Sequence, residues 1–293
     1  MKTVYKNGIA LLITLFFLMA ITISIGIGFK HVNEAKASIK DENFLLQTNI
    51  ILDDVLTFLE KSPELKNMQT NDGVFDIFLA QSEFIPLEME NIKVAISIKS
   101  ARAKVNINDL LESNSTQQIP QFQEFLNSYN VNLSYIDMLK DSVGKNDPPM
   151  TYILDEKPNF FREYIASYKH LEEINEFYTN TYYENSLSQI DFKELFYFGH
   201  ETNSTNINSY CIDNNYLTPW ARHMIEGMSL EDAEAYEAVD SNETDINGFK
   251  LCSGEERLYI DVNLEIIQNN NKAKIGFEYD IKHTKGYNFS YEI

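Results

Sequence analysis

The sequence predicts an α+β fold: a long N-terminal helix packed on an antiparallel sheet, with a large α-helical domain inserted between strands. Three observations predict it. From Lys30 to Lys61 the chain has neither proline nor glycine, and apolar residues recur at helical spacing. Strict apolar–polar alternation appears once near residue 95 and three times after residue 257. Between those regions the alternation stops and helix-capping residues take over.

The helix comes first. Leu45, Leu52, Val55, Leu56 and Leu59 mark its apolar face, and Ser62-Pro63 stops it, because the residue before a proline is pushed out of the α region. If it begins at Ile9, it runs about 80 Å at 1.5 Å per residue. A membrane helix followed by a separate juxtamembrane helix fits the same residues. Ile92, Val94, Ile96 and Ile98 then alternate with Lys93, Ala95, Ser97 and Lys99, a strand with one face covered. Ser100-Ala101-Arg102 turns the chain, and Lys104 to Asn108 reads as a short return strand. At the C-terminus, Leu258 to Ile266, Ala273 to Ile281 and Tyr287 to Ile293 each alternate, separated by Asn269-Asn270-Asn271 and Lys285-Gly286. They form an antiparallel meander whose one face packs on the helix.

Between the strands lies the insertion, residues 109–254. Phe122 to Tyr129, Asn159 to Tyr183 and Asp191 to Phe198 are helix candidates. The best-defined segment starts with Thr218 as N-cap and Pro219 at the first helical position. Gly227 ends that helix, and Ser229 with Asp232 opens a second. Such helix pairs serve DNA binding elsewhere. Here Glu226, Glu231, Asp232, Glu234, Glu237 and Asp240 fill residues 226–240 with no lysine or arginine, so a structural or protein-contact role is favoured.

The first 29 residues decide where the protein sits. Lys2 and Lys6 precede Gly8, and an uncharged apolar run extends from Ile9 to Phe29, long enough to cross about 30 Å of hydrocarbon. No small-residue cleavage site follows the run. The lysines place the N-terminus in the cytoplasm, so residues 30–293 lie outside it, in a single-pass inner-membrane arrangement. Hydrophobic residues at 44% and aromatics at 13% are ample for a folded ectodomain. The net charge of −20 repels nucleic acid and anionic headgroups, which argues against direct nucleic-acid binding. Two cysteines, Cys211 and Cys252, pair in an oxidising periplasm; the alternative is two separate buried thiols.

The basic leader ending in Gly8 resembles a type IV prepilin leader, which implies cleavage between Gly8 and Ile9 and N-methylation of Ile9. An ordinary single-pass anchor shares the same charges and length. In most pilins the fifth mature residue is glutamate, and this chain has Ile13 there. The K-type minor pseudopilins of type II secretion typically carry an apolar residue at that place. The steps Val105-Asn106-Ile107-Asn108 and Thr205-Asn206-Ile207-Asn208 are alike, and each Asn-x-Asn can cap the segment after it. Leader, missing glutamate, insertion between strands and both Asn steps occur in the order of that family, so the chain resembles it over most of its length. The resemblance implies a pilin-like fold divided into a leader (1–8), a transmembrane helix (9–29), the extramembrane half of that helix (30–62), the first part of the sheet (63–108), the inserted domain (109–254) and the closing strands (255–293). It further implies a tip or initiation subunit of a secretion pseudopilus, partnered by I- and J-type minor pseudopilins, the prepilin peptidase and the inner-membrane secretion platform. Ile13 spares a tip subunit the cost of a carboxylate in lipid. A minor pilin of a type IV pilus or DNA-uptake machine, and a membrane-anchored periplasmic binding protein or enzyme, are the competing readings.

Catalysis finds little support. No GxSxG, HExxH, CxxC, P-loop or Rossmann pattern is present, and His31, His170, His200, His223 and His283 are scattered, each read as a surface residue. No cofactor is expected. Calcium has weak candidates in Asp240, Asn242 and Asp245, an oxygen-rich loop without the glycine and glutamate of an EF-hand; a solvated acidic loop is favoured. Five Asn-x-Ser/Thr sequons occur. Asn114, Asn203 and Asn242 each have an acid two residues earlier, as one bacterial N-glycosylation system requires; an Asn-rich composition gives the same pattern without glycan.

Overall fold

The computed structural model describes residues 42–68, 72–89, 91–112, 117–199, 210–236, 244–269 and 271–292. Gly8, Ile9 and the apolar run therefore lie outside the described residues. Among the described residues no helix is long and apolar enough to cross a membrane.

Helix α1 covers residues 42–61. Phe44, Thr48, Ile51, Leu52 and Leu59 are buried on one stripe, at the i, i+4, i+7, i+8 and i+15 places of a helix. Leu45 faces away, at the rim of that stripe, and Phe44 takes the inward place instead. The helix stops before Pro63, and Pro63 opens α2 (Pro63–Met68) as its first residue. Helix α3 (Asp72–Ser82) then leads into an edge strand, β1 (Ile85–Met89). Neither α3 nor β1 is signalled by periodicity: among its described side chains α3 buries Phe75, Leu79 and Ser82, and Pro86 interrupts the strand pattern.

The sheet has five antiparallel strands in the order β1-β2-β7-β8-β9, with β2 at Ile92–Ser100, β7 at Tyr259–Gln268, β8 at Asn271–Asp280 and β9 at Lys285–Glu292. Alternation fixes which face is covered. Val94, Ile96, Ile98, Ile260, Val262, Leu264, Ile266, Ala273, Ile275, Phe277 and Tyr279 pack in one core with α1 and α3. Each large side chain fully buried there contributes about 1.5–3 kcal/mol. The last strand departs from the expected stripe. A bulge lies opposite Gly276 and Glu278, with Asn288 at φ 52°. The extra residue turns Tyr287 toward Glu278, while Phe289 stacks on Phe277 at 5.2 Å on the other face.

The described residues between 101 and 258 leave the sheet at one point, since Ser100 and Ile260 are register partners and Ala101 N–H donates to the Tyr259 carbonyl at 2.9 Å. The return strand expected over Lys104–Asn108 is not part of this sheet. Only Val105–Asn106 (β3) is extended, and it pairs in parallel with Phe196–Tyr197 (β4). The first part of the sheet thus ends at Ser100, and Asn106 turns the chain into α4 (Ile107–Leu110).

The inserted lobe builds a second core from α5 (Gln118–Ser128), α6 (Ser134–Ser142), α7 (Ile153–Glu156), α8 (Tyr168–Tyr182), α9 (Phe192–Leu195), α10 (Pro219–Glu226) and α11 (Leu230–Glu234). Phe122, Leu126, Tyr135, Met138, Leu139, Ile174, Tyr178 and Met224 are its fully buried centre. The helix expected from Asn159 begins only at Tyr168. Ile165 gives both its N–H and its carbonyl to the Asn108 side chain, which removes them from a helical ladder, and Ser167 then caps α8. The helix expected over Asp191–Phe198 shortens to one turn because Phe196 and Tyr197 pair with β3. The pair α10–α11 has its expected caps: Thr218 accepts from Ala221 N–H, Gly227 adopts φ 70°, and Ser229 accepts from Asp232 N–H. A short hairpin, β5 (Asp245–Ile246) and β6 (Phe249–Lys250), comes next.

Candidate assembly surface

A helix packed on a sheet has an outer side, and here large apolar residues stand on it among polar and charged ones such as Asn49, Asp53 and Asp54. Leu46, Ile50 and Phe58 are 59%, 52% and 64% exposed on α1, which is unusual for large apolar residues on a soluble helix. Leu45 extends this surface along one rim. On that rim Gly286 of β9 lies beside Leu56: a Cβ there would stand at ordinary contact distance, 3.4 Å, from its Cδ2 but 2.7 Å from the Phe289 ring, so glycine leaves room for that ring. Phe289 and Tyr291, both exposed, continue the apolar surface onto β9. The stripe of α1 and the edge strand together can bury apolar area against another chain.

The lobe is fixed to the sheet by a seam of charged and aromatic groups. Arg102, 4% exposed, places its guanidinium between the rings of Tyr210 and Tyr259, 4.5 and 4.1 Å from their centroids. Its Nη2 lies 3.8 Å from Oε1 of buried Glu278. Glu278 Oε2 accepts from the Asn288 amide at 3.1 Å and from the Tyr197 hydroxyl. Burial pushes the Glu278 carboxyl above the ordinary range, and Arg102 only partly opposes that. A second group lies beside it. Arg257 donates to Asp213 at 2.9 Å and Asp76 at 2.6 Å, and Tyr216 donates to Asp76 at 3.0 Å. This joins α3 to the lobe. Asp213 is also raised by burial, against the pull of Arg257. Cys211 and Cys252 are disulfide-bonded at a Cα separation of 4.9 Å, where Ile212 and Leu251 form a parallel bridge.

The first Asn step is structural. Asn106 Oδ1 accepts from Asn108 N–H at 3.0 Å, and the buried Asn108 amide donates to the carbonyls of Ile165 (3.1 Å) and Gly199 (3.2 Å) while accepting from Ile165 N–H (2.8 Å). Three segments far apart in sequence meet on one side chain. Asn108→Ala is expected to cost about 1–3 kcal/mol, as buried backbone groups lose their partners; chemical denaturation of the purified protein measures it. The second step, Asn206 and Asn208, lies outside the described residues. So do Asn114, Asn203, Asn242 and Asp240, while Asp245 is exposed on β5. Among the described residues no three His, Cys, Asp or Glu side chains could hold a metal ion together.

Of the described histidines, His283 is exposed as expected, while His170 and His223 are half-buried. His223 packs among the rings of Phe125, Tyr129 and Trp220. His283 meets Asp280 at 2.7 Å. His170 lines a cleft of 590 Å³ with Phe160, Phe161 and Glu173, but its Nδ1 accepts from Ala166 N–H at 3.2 Å, and burial lowers its pKa. That leaves the ring neutral and bound to the backbone. Sequence reasoning missed the seam: Arg102 and Glu278 are 176 positions apart, and no local pattern relates them. The single available signal is a lone arginine in a turn beside a strand whose alternation places Glu278 opposite the apolar face.

No protein-family model matches the chain, and no curated protein sequence does. Among solved structures it is similar to a chain of the GspK-GspI-GspJ complex of the type 2 secretion system of enterotoxigenic Escherichia coli, at 11% identity and a TM-score of 0.49, covering 87% of this chain and 97% of that one.

Proposed function

We propose that the chain is a minor pseudopilin, seated at the tip of a periplasmic type II secretion pseudopilus and helping to initiate it. The observation that carries the reading is the order of parts along one chain. A basic leader ends in Gly8; an apolar run comes next, with Ile13 in place of the usual glutamate; a helix with exposed Leu46, Ile50 and Phe58 packs on an antiparallel meander; and a helical lobe interrupts that meander at one hairpin. The outer stripe of α1 suits helix packing against I- and J-type subunits. The lobe leaves and re-enters the sheet between adjacent strands, so it adds bulk at one end without altering the helix–sheet unit. Bulk of that kind obstructs a repeating filament and is harmless at its end. In this reading the protein is anchored once in the inner membrane with its folded part in the periplasm, acts through contacts rather than catalysis, and meets the prepilin peptidase and the secretion platform during assembly.

Mass spectrometry of the mature N-terminus from the native host tests the reading first. The expected species begins at Ile9 and carries an N-methyl group. A protein that retains residues 1–8 sinks it and leaves a bitopic anchor.

A further inference from the structure

The seam holds acids that face few cations. Glu278 on β8 and Asp261 on β7 are register partners, on the sheet face turned toward the inserted lobe. Glu278 is 6% exposed, and Asp280, two residues on, is 2% exposed. The groups around Glu278 come from every element packed there. Arg102, from the turn after β2, lies at 3.8 Å, long for a charge-assisted bond, and its guanidinium is held by two tyrosine rings. Tyr197 of β4 and Asn288 of β9 donate to Oε2. Tyr287 lies across the β8–β9 ladder. Asp280 adds a like charge and is itself engaged by His283. Asp261 answers to Lys104 and Lys99 rather than to Arg102. Tyr197 belongs to the lobe and Asn288 to the sheet; the Asn288 amide also donates to the Tyr197 hydroxyl at 2.7 Å, and the Glu278 carboxyl accepts from both, closing a three-membered polar group across the seam.

We propose that this seam is a proton-operated clasp, in which Glu278 is neutral in the tightened state and loosens the lobe from the sheet when it ionises. An ionised carboxylate here keeps Oε2 in contact with its two donors but leaves a buried charge whose nearest cation is shared with aromatic faces. A neutral acid protonated on Oε1 keeps both donors at Oε2 and has no charge to solvate, while the Arg102 guanidinium stays against the faces of Tyr210 and Tyr259. The linkage has a definite sign. Burial raises the Glu278 carboxyl, and the same cause raises Asp213 and Asp261. The docked state therefore binds protons more readily than the undocked one. Its advantage is complete below the ordinary carboxylate range and is lost as the pH rises through the raised values.

Hydrogen–deuterium exchange of the full chain in detergent micelles, at about pH 5 and about pH 8 with intrinsic rates corrected, tests this. Peptides covering β4 and β9 are expected to lose at least about tenfold more protection from the lower to the higher pH than those covering α6 and α8. Glu278→Gln is expected to remove most of that difference, leaving the part that Asp213 and Asp261 contribute. Equal pH dependence in the seam and the helical core overturns the proposal, and so does a difference that is undiminished in Glu278→Gln. The wild-type side-chain carboxyl, followed by carbon-detected NMR, supplies a readout independent of the variant: a Glu278 midpoint at or below that of a solvent-exposed glutamate overturns the proposal as well.

Discussion

Arg102→Met is expected to destabilise the protein by about 3–5 kcal/mol, the cost of removing one partner from a buried charge pair. Two losses combine. Where the pH is high enough to ionise Glu278, its carboxylate is left in a 6% exposed position with no cation opposite it. The guanidinium also leaves the space between Tyr210 and Tyr259, where each cation–π contact contributes about 0.5–2 kcal/mol. Denaturant unfolding followed by the fluorescence of Trp220, the single tryptophan, reads the change from inside the inserted lobe. Adding Glu278→Gln to Arg102→Met should restore most of the loss, because the uncompensated charge is then gone. Strict additivity of the two changes would mean that they do not act on each other.

Removing the disulfide is expected to cost up to about 4 kcal/mol by the entropy of closing its loop. The bridge joins Cys211 and Cys252 across 41 residues, and that loop holds α10 and α11. Its ends are also held by backbone bonds: Ile212 N–H donates to Lys250 and Cys252 N–H to Ile212, each at 2.9 Å. Those two bonds act only in the folded state, whereas the disulfide restricts the unfolded chain. Thermal unfolding of the Cys211→Ser, Cys252→Ser double variant against wild type should therefore show a large drop with little change in the native fold. A drop under about 1 kcal/mol would mean that the unfolded chain already holds these ends together.

Much of the architecture was legible because it obeys local periodicity. β2, β7 and β8 have clean alternation, and their buried faces are the ones the alternation marks. The α10–α11 pair carries its caps in sequence, so Thr218, Gly227 and Ser229 could be assigned without a structure. The elements that escaped were set by distant partners. β1 is defined by pairing with β2 and has a proline within it. Val105–Asn106 is extended because it meets residues 196–197. Residues 159–167 read as helix by composition, but Asn108 claims the backbone of Ile165. The same holds for the candidate surface. Exposed Leu46 and Ile50 look like core residues in sequence; only the burial of Phe44, Thr48 and Ile51 shows which side of α1 faces out.

The single point of exit at Ser100 and re-entry at Tyr259 has a consequence for how the chain reaches its fold. Without the lobe, the strands run β1-β2-β7-β8-β9 in simple sequence order, each beside its predecessor. With the lobe unfolded, pairing β2 to β7 must close a loop of more than 150 residues, about 3 kcal/mol harder than a tight hairpin. A lobe that folds first brings its own two ends together and acts as an oversized turn, which removes that penalty before the sheet forms. The lobe is then a graft in the architectural sense: a self-contained body spliced into the tip of a hairpin, whose excision and replacement by a short turn should leave a continuous five-stranded meander.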